Sequence, residues 1–407
     1  MQPVPGFVPE PAAYRQNPAG LTPAGASAVP CAGPRSLAFV LPAIGAGGSE
    51  HVVTMLCNHF SRQGSAVRLI CFEPSGATPF YPLDPAVTLV CLGHPSRRRG
   101  GIASLWTMGR RYGLLRAELS RQRPDAVIAF LTRTAVLAAL AAQSLGIPVL
   151  VSERNNPVRQ PVGRVWEWLR RRAYGRATAL VTMTSGAGQY FTPAAGRTDR
   201  VIPNHANLPA RPTPFNPAGR RLVAVGRLVE QKGFDLLLDA FARIADRFPD
   251  WELVIWGDGP LRGPLKAQRD ALGLRQRVAM PGITRQPGGW INGADLFVLS
   301  SRFEGWGLVV GEAMAAGIPT VSFDCPFGPA DMIDHGRTGL LAPDQDVAGL
   351  AEALAAAMAD ADLRQRLGIA AREAMRAYTS ERILAQWDGL VRTITPPQAA
   401  MVGGMQP

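Results

Sequence analysis

Residues 300–319, which read SSRFEGWGLVVGEAMAAGIP, decide the predicted fold. They follow an apolar strand and contain a loop and then a helix. The run before them, residues 294–299, ends in Leu-Phe-Val-Leu, and such a continuous apolar run is typical of a buried strand in a parallel sheet. Residues 308–316 favour a helix, which Gly317 and Pro319 would end. The stretch therefore predicts a strand, a glycine-bearing loop and a helix, the repeating unit of an α/β fold.

The same loop predicts a class of ligand. Its backbone amides lead into a helix N-terminus, where unpaired N–H groups and a partial positive charge favour an anion. Two carboxylates, Glu304 and Glu312, flank the loop with seven residues between them. Because carboxylates repel phosphate, we expect these two to accept hydrogen bonds from hydroxyl groups. Phosphate and hydroxyl groups together indicate a sugar nucleotide.

Length and composition indicate a two-domain globular protein. At 407 residues the chain exceeds the usual size of one hydrophobic core, and 47% of its residues are hydrophobic against 18% charged. The five cysteines are scattered, with no CxxC pair and no spacing that suits zinc. That pattern argues against a disulfide framework or a metal site and fits a reducing cytosol.

Neither a signal peptide nor a membrane span is expected. Residues 1–34 are rich in Pro, Ala and Gly, have no basic start or apolar run, and are predicted to form a disordered tail. The most apolar later run, residues 126–151, is interrupted by Arg133, Gln143 and Pro148. It favours a strand, a helix and a second strand over a membrane span.

The positive charge is concentrated in the first half of the chain. Of the formal net charge of +12, residues 1–205 carry +13, from 22 arginines against 9 acidic residues, and residues 206–407 carry −1. An anionic membrane or a nucleic acid would each explain such a basic half. A bias toward arginine also contributes, since the chain has 41 arginines and 2 lysines.

Two basic, aromatic segments favour the membrane among these partners. Residues 105–116 and 164–172 mix arginines with apolar residues at helical spacing, including Trp106 and Trp168. Ordinary surface helices are the alternative. No RNA-recognition signature is present, so no nucleic-acid partner is expected. We expect peripheral contact with an anionic membrane.

The α/β pattern runs twice, with a proline-rich break between the halves. We expect a first domain over residues 35–204, a linker over 205–217 and a second domain over 218–380. A last helix is expected over residues 381–395.

Further glycine loops follow predicted strands in the second half. After Gly226, the side chains of Arg227 and Lys232 can converge on one diphosphate, the first as a fork and the second as a point charge. Gly257 and Gly259 form another loop at the carboxyl end of a strand, which is where ligands bind in open parallel sheets.

The first half has comparable loops. Gly47 and Gly48 precede a helix start, but Glu50 stands where a dinucleotide fingerprint requires its third glycine. We expect this loop to approach a phosphate or an acceptor; a tight turn is the alternative. A second polar loop, containing Glu153 and Asn155, follows another strand.

Together these motifs resemble the retaining, nucleotide-sugar-dependent glycosyltransferases of family 4. That family has the GT-B fold, in which two Rossmann-like, doubly wound domains face each other across a cleft. The resemblance covers about residues 36–393 and rests on Gly226-Arg227-Leu228, Lys232-Gly233, Gly257-Asp258-Gly259-Pro260 and residues 304–319. Gly47-Gly48-Ser49-Glu50 is similar to the family's amino-terminal glycine loop. Residues 323–329, FDCPFGP, look like the subgroup that builds bacterial surface polysaccharides and lipid-linked glycans.

The resemblance implies roles for these residues. The implied catalytic residues are Arg227, Lys232 and Glu304. Arg227 and Lys232 would hold the diphosphate and stabilise the leaving group, Glu304 would bind hydroxyls of the transferred sugar, and Glu312 would bind the ribose. Residues 35–204 would form the acceptor-binding domain and residues 218–380 the nucleotide-sugar-binding domain, with the helix over residues 381–395 crossing back onto the first domain. The implied donor-binding set is Gly226, Arg227, Lys232, Gly257, Gly259, Gly282, Glu304, Gly305, Gly307, Leu308, Val309 and Glu312. The implied acceptor side comprises Gly47, Gly48, Arg133, Glu153 and Asn155.

The implied activity is retaining, metal-independent transfer of a hexose or N-acetylhexosamine from a UDP- or GDP-linked sugar, without a cofactor. The acceptor would be a glycan or a polyprenyl- or lipid-linked molecule in bacterial polysaccharide or glycoconjugate biosynthesis. The location would be cytoplasmic, at the inner face of the plasma membrane. A nucleotide-sugar epimerase or hydrolase on the same GT-B fold is the alternative enzyme, and a basic RNA- or membrane-binding scaffold is the alternative without catalysis.

Overall fold

The computed structural model describes residues 35–45, 47–94, 102–191, 193–206, 214–284, 286 and 288–395. The predicted tail and residues 207–213 of the predicted linker lie outside these residues. Among the described helices, none is long and apolar enough to cross a membrane.

The amino-terminal domain is built on one parallel sheet. Its strands are β1 (Ser36–Val40), β2 (Ala66–Cys71), β3 (Thr88–Cys91), β4 (Ala126–Phe130), β5 (Val149–Ser152), β6 (Ala179–Thr182) and β7 (Thr198–Val201). Its helices are α1 (Gly48–Arg62), α2 (Ile102–Gln122), α3 (Thr132–Ser144), α4 (Arg164–Tyr174) and α5 (Ser185–Tyr190). The order across the sheet is β3-β2-β1-β4-β5-β6-β7.

The carboxy-terminal domain repeats this design with a six-stranded parallel sheet. Its strands are β8 (Arg221–Val225), β9 (Glu252–Trp256), β10 (Val278–Gly282), β11 (Leu296–Leu299), β12 (Thr320–Phe323) and β13 (Leu340–Ala342), in the order β10-β9-β8-β11-β12-β13. The helices that follow are α6 (Phe234–Ala242), α7 (Arg262–Ala271), α8 (Leu308–Ala315), α9 (Val347–Ala359), α10 (Ala361–Met375) and α11 (Ser380–Ile394).

Both faces of each sheet are buried, which explains the continuous apolar runs. In β11, Leu296 and Val298 pack in one hydrophobic cluster, while Phe297 and Leu299 pack in another on the opposite face. Successive side chains of a strand alternate between faces, so a strand covered on both sides needs apolar residues at every position. The two doubly wound sheets confirm the predicted α/β class.

The strand order places a candidate site in each domain. The direction of winding reverses between β1 and β4 in the first sheet and between β8 and β11 in the second. Loops at such a reversal diverge to opposite faces and leave a crevice at the carboxyl ends of the strands. The loops after these four strands contain Gly48, Thr132, Lys232 and Glu304 or lead directly into them.

Helix α11 packs on the amino-terminal domain although it follows the second domain in sequence. Trp387 is fully buried, and its ring centroid lies 5.8 Å from that of Phe130 in β4. The Asp388 carboxylate accepts hydrogen bonds from His59 Nε2 at 3.0 Å and Gln63 Nε2 at 3.1 Å, both on α1. The amino-terminal core is therefore completed by α11, the last helix that the structure describes.

We expect Trp387→Ala to lower the free energy of unfolding by about 3–5 kcal/mol, because it leaves a large cavity in the amino-terminal core. Chemical denaturation of the purified protein measures this loss. The exposed Arg382→Ala on the same helix is the control and should change the free energy by about 0.5 kcal/mol or less. Equal midpoints for the two variants would contradict the assignment of α11 to this core.

Candidate active site

The candidate site lies where the carboxyl ends of the two sheets face each other. A Cβ atom placed on Gly48, at the start of α1, would lie 2.5 Å from the side chain of Leu308, at the start of α8. One placed on Gly305 would lie 2.6 Å from the carbonyl oxygen of Arg154 and 2.8 Å from the methyl group of Met183. Loops of the two domains thus approach closely, and the backbone carbonyl of Arg154 leaves no room for a side chain at Gly305.

The predicted catalytic residues Lys232 and Glu304 are in direct contact. Lys232 Nζ lies 2.6 Å from Glu304 Oε1, and the hydroxyl of Ser301 donates to the same oxygen at 2.6 Å. The Glu304 side chain is buried, so its charge is compensated by a cation and a hydroxyl donor, as a buried carboxylate requires.

The loop that carries Lys232 is fixed to the loop that carries Glu304. Gly233 has a left-handed φ of +60°, and a side chain there would collide with the carbonyl of Ser300. The Ser300 hydroxyl donates to the carbonyl of Lys232 at 2.9 Å. Arg302 binds both carboxylate oxygens of Asp235, at 2.8 and 2.6 Å, and this hydrogen bonding lowers the pKa of Asp235. The backbone around Lys232 is therefore fixed to the loop after β11 at two points, which positions its ammonium group.

Arg227 is on the same loop but does not join this cluster. Its side chain is exposed, and it forms no ion pair with any residue in the described part of the chain. Its guanidinium group is therefore available to an anionic ligand.

The glycines predicted to bind the donor connect three adjacent loops. The amide of Gly226 donates to the carbonyl of Trp256 at 3.0 Å, and the amide of Gly257 donates to the carbonyl of Gly282 at 2.7 Å. Gly257 has a φ of +140°, and a side chain there would collide with the backbone of Gly226. The amide of Leu228 reaches the carbonyl of Asp258 at 2.9 Å, beside Gly259. The loops after β8, β9 and β10 thus form one continuous surface.

The N-terminus of α8 is open. Gly307, which precedes it, is left-handed with a φ of +84°, and no side chain caps the helix. The amides of Leu308 and Val309 donate to no other residue that the structure describes. These amides and the helix dipole make the helix start suitable for an anion.

Glu312 lies in the second turn of α8, and the pKa of its carboxyl group is shifted. Burial raises its pKa to about 7, while the indole N–H of Trp290 acts in the opposite direction. At neutral pH the free protein therefore contains both the acid and the carboxylate. A ligand that donates hydrogen bonds to this group would favour the carboxylate.

In the first domain, the carboxylate of Glu50 lies against the glycine loop that precedes α1. Gly47 precedes α1 without a side-chain cap, and a Cβ atom there would collide with the carboxylate of Glu50. Burial raises the pKa of Glu50. This carboxylate folds back over the start of α1.

Of the other predicted acceptor residues, Glu153 and Asn155 lie together and Arg133 lies apart. Glu153 is buried and accepts hydrogen bonds from Thr132 Oγ1 at 2.8 Å and from the Tyr174 hydroxyl at 3.0 Å. The amide of Asn155 donates to Glu153 Oε1 at 3.1 Å, and Asn155 Nδ2 donates to Thr132 Oγ1 at 3.0 Å. Arg133 is exposed, with its guanidinium over the Trp166 ring. Glu153 is satisfied inside its own domain, and its contact with an acceptor stays a prediction.

Three residues near the cleft were not predicted from the sequence. The His51 ring lies 4.7 Å from that of Tyr81 and 5.1 Å from that of His205. His205 is buried, and burial together with His51 and Arg154 lowers its pKa to about 4, so its imidazole is neutral at pH 7. His51 directly follows the glycine loop, and this position could have marked it as a candidate site residue. Tyr81 and His205 lie in an irregular loop and a predicted linker, where no pattern marks them.

Two protein-family models match this chain, one for each domain. Residues 47–205 match the glycosyl transferase 4-like domain, and residues 210–374 match the glycosyl transferases group 1 family. These matches coincide with the two parallel sheets described above.

Similar proteins include an exopolysaccharide phosphotransferase of Streptomyces coelicolor, 33% identical over 272 residues, which are 65% of this chain and 28% of that protein. An uncharacterized glycosyltransferase of Haemophilus influenzae is 25% identical over 364 residues, 88% of this chain and 100% of its own. The solved structure of HepE from Anabaena, in complex with UDP and glucose, has a TM-score of 0.70 and 19% identity, covering 88% of this chain and 100% of that one.

The structural similarity confirms the predicted GT-B fold, and the comparisons give no support to an epimerase or a hydrolase. The chain belongs to the family-4 glycosyltransferases, with a glycosyl transferase 4-like domain followed by a group 1 domain.

Proposed function

We propose that this glycosyltransferase moves a hexose or N-acetylhexosamine from a nucleotide diphosphate sugar, with retention of configuration and without a metal, to a glycan or lipid-linked acceptor. The observation that carries the proposal is the contact between Lys232 and Glu304 at the carboxyl edge of the second sheet. This contact supports the proposal because a sugar diphosphate needs a cation for its phosphates beside a carboxylate for its hydroxyls.

The diphosphate is assigned to the cationic side of the site. Lys232 and the unpaired Arg227 lie on the loop after β8, and the amides of Leu308 and Val309 open the N-terminus of α8. As the bond between sugar and diphosphate breaks, negative charge grows on the leaving group. Fixed cations and amides stabilise that charge more in the transition state than in the bound donor, which speeds the reaction. The cations of Lys232 and Arg227 can together take the place of a metal here.

The carboxylates are assigned to hydroxyl groups. Glu304 would bind the transferred sugar, since its oxygen already accepts a hydroxyl hydrogen bond from Ser301. Glu312, one helical turn into α8, would bind the ribose. The base would lie against the surface formed by Gly257, Gly259 and Gly282.

The acceptor is assigned to the amino-terminal face of the cleft, because Gly48 contacts Leu308 and so brings that face against the donor loops. The relative named for exopolysaccharide supports a role in bacterial polysaccharide or glycoconjugate biosynthesis, and residues 323–329 point the same way. UDP- or GDP-linked sugars are the donors we expect.

We also propose peripheral contact with the cytoplasmic face of an anionic membrane. Helices α2 and α4 both pack on α3, so they lie in one layer of the amino-terminal domain. Trp106 on α2 is 58% exposed and Trp168 on α4 is 63% exposed. The exposed arginines beside them include Arg110, Arg171 and Arg172. Exposed indole rings among arginines are suited to the headgroup region of anionic lipids.

Lys232→Ala is expected to lower kcat of sugar transfer by about 100- to 1000-fold, the loss typical of removing one group that stabilises transition-state charge. Transfer is followed as release of nucleotide from a panel of UDP- and GDP-sugars with a bacterial lipid extract as acceptor source. The exposed Lys266→Ala, at the only other lysine of the chain, is the matched control and should keep full activity. Wild-type turnover by a folded Lys232→Ala protein would refute the proposed role.

Glu312→Gln is expected to stabilise the free protein at pH 8 but not at pH 4. The folded protein binds the Glu312 proton up to about pH 7, whereas the unfolded chain releases it near the ordinary value of 4.5. Stability is therefore lost as pH rises between these values, by on the order of 2–3 kcal/mol, and glutamine removes this loss. Denaturation at the two pH values measures the difference. The exposed Glu252→Gln is the control and should show the wild-type pH dependence.

A Trp106→Ala/Trp168→Ala double variant is expected to bind phosphatidylglycerol vesicles about tenfold more weakly, because it loses the apolar part of the proposed membrane surface. Cosedimentation measures the bound fraction, and added salt should weaken binding of the wild type as well. Leu272→Ala, an exposed apolar residue of the second domain, is the control. Unchanged binding of the double variant would contradict the proposed contact.

A further inference from the structure

A second concave surface lies beside the glycine loop of the amino-terminal domain, apart from the donor loops. It is a groove of about 570 Å³. It is lined by Ile44 and Gly45, which follow β1, and by Glu73 and residues 77–80 of the loop between β2 and β3. We call this surface the Phe80 groove.

The groove is built on fixed backbone. The amide of Phe80 donates to the carbonyl of Ile44 at 2.9 Å, which joins its two walls, and the amide of Ala77 donates to the carbonyl of Pro74 at 3.1 Å within the loop. The Phe80 ring is nonetheless 59% exposed. An aromatic ring held open to solvent beside a groove indicates a binding surface.

A row of aromatic rings connects the groove to the donor site. The Phe80 ring lies 5.0 Å from that of Tyr81, edge to face, and Tyr81 lies 4.7 Å from His51 at the start of α1. The pKa of Tyr81 is raised by burial and then by the carboxylates of Glu50 and Glu312. Tyr81 is therefore near Glu312 on α8, and the row ends at the proposed donor.

The charges of the groove select its ligand. Glu73 is half-buried, and among the described residues no donor is hydrogen-bonded to its carboxylate. Glu50 adds a second carboxylate beside the aromatic row. These groups repel a phosphate or an anionic lipid headgroup, and they accept hydrogen bonds from hydroxyls. The apolar C–H face of a pyranose ring packs on an aromatic ring, while its hydroxyls suit such carboxylates.

We infer that the Phe80 groove binds an uncharged sugar unit of the acceptor, with its ring on Phe80 and a hydroxyl bonded to Glu73. This inference rests on the proposed glycosyl transfer and adds the acceptor's chemical class and its position. The acceptor chain would run from the groove past Tyr81 and His51 toward the donor, so that its reacting hydroxyl lies near the α1 start. Any lipid part of an acceptor would lie outside the groove.

The experiment uses the full chain with bound UDP and a panel of methyl glycosides of glucose, galactose, mannose and N-acetylglucosamine as probes. Saturation-transfer NMR should show magnetisation reaching ring C–H protons of at least one glycoside. Phe80→Ala should weaken binding of that glycoside about tenfold, the loss expected from one aromatic contact, and Glu73→Gln should weaken it as well. UDP affinity, measured by calorimetry, should be unchanged in both variants.

Ile369→Ala is the matched control. Ile369 is 66% exposed and lines a groove of about 540 Å³ on the other domain, so its removal should leave glycoside binding unchanged. Absence of saturation transfer to every glycoside in the wild type, or equal transfer in Phe80→Ala, would overturn the inference. Loss of phosphatidylglycerol vesicle binding in Phe80→Ala would instead assign the groove to lipid and overturn it too. Failure of the wild type to bind or turn over any sugar nucleotide would refute the proposed function itself.

Discussion

The ion pair between the partly buried Lys232 and the buried Glu304 is the constraint on which the loops after β8 and β11 depend. Removing water from around the two charges costs free energy, and only close, well-oriented contact offsets that cost. The chain meets this requirement with loops that cannot move independently: Gly233 lies against the carbonyl of Ser300, and the Asp235 carboxylate is bound by Arg302. The same rigidity holds the ammonium group and the carboxylate side by side.

Close backbone approach extends this constraint across the cleft. Gly48 lies against the side chain of Leu308, and Gly305 lies against the carbonyl of Arg154, where a side chain would collide with the backbone. Asn156 Nδ2 also donates to the carbonyls of Glu304 and Pro326, at 3.3 and 3.0 Å. The amino-terminal domain is thereby tied to the loop that carries Glu304. One group of contacts sets the geometry of both faces of the cleft.

The loops of the proposed donor side could be predicted from sequence because each loop is a local motif. A strand, a loop and a helix within about twenty residues contain Glu304, the α8 start and Glu312, and the structure places β11 and α8 within a residue or two of the predicted bounds. The acceptor side could not, because it is assembled from distant segments. His51, Tyr81 and His205 meet only through the packing of α1, an irregular loop and the end of the first domain. No periodicity or spacing encodes that meeting.

Glu153 and Glu304 show that the position of a carboxylate in a loop does not predict its partners. Both follow a buried parallel strand at the carboxyl edge of a sheet, and both are buried. Glu153 accepts hydrogen bonds from Thr132 and Tyr174 of its own domain, the positive charge of Arg170 also acts on it, and burial raises its pKa. Glu304 Oε1 instead lies in direct contact with the ammonium of Lys232. The two carboxylates thus differ in their direct partners, and the contact of Glu304 with a residue 72 positions away is seen only in the folded chain.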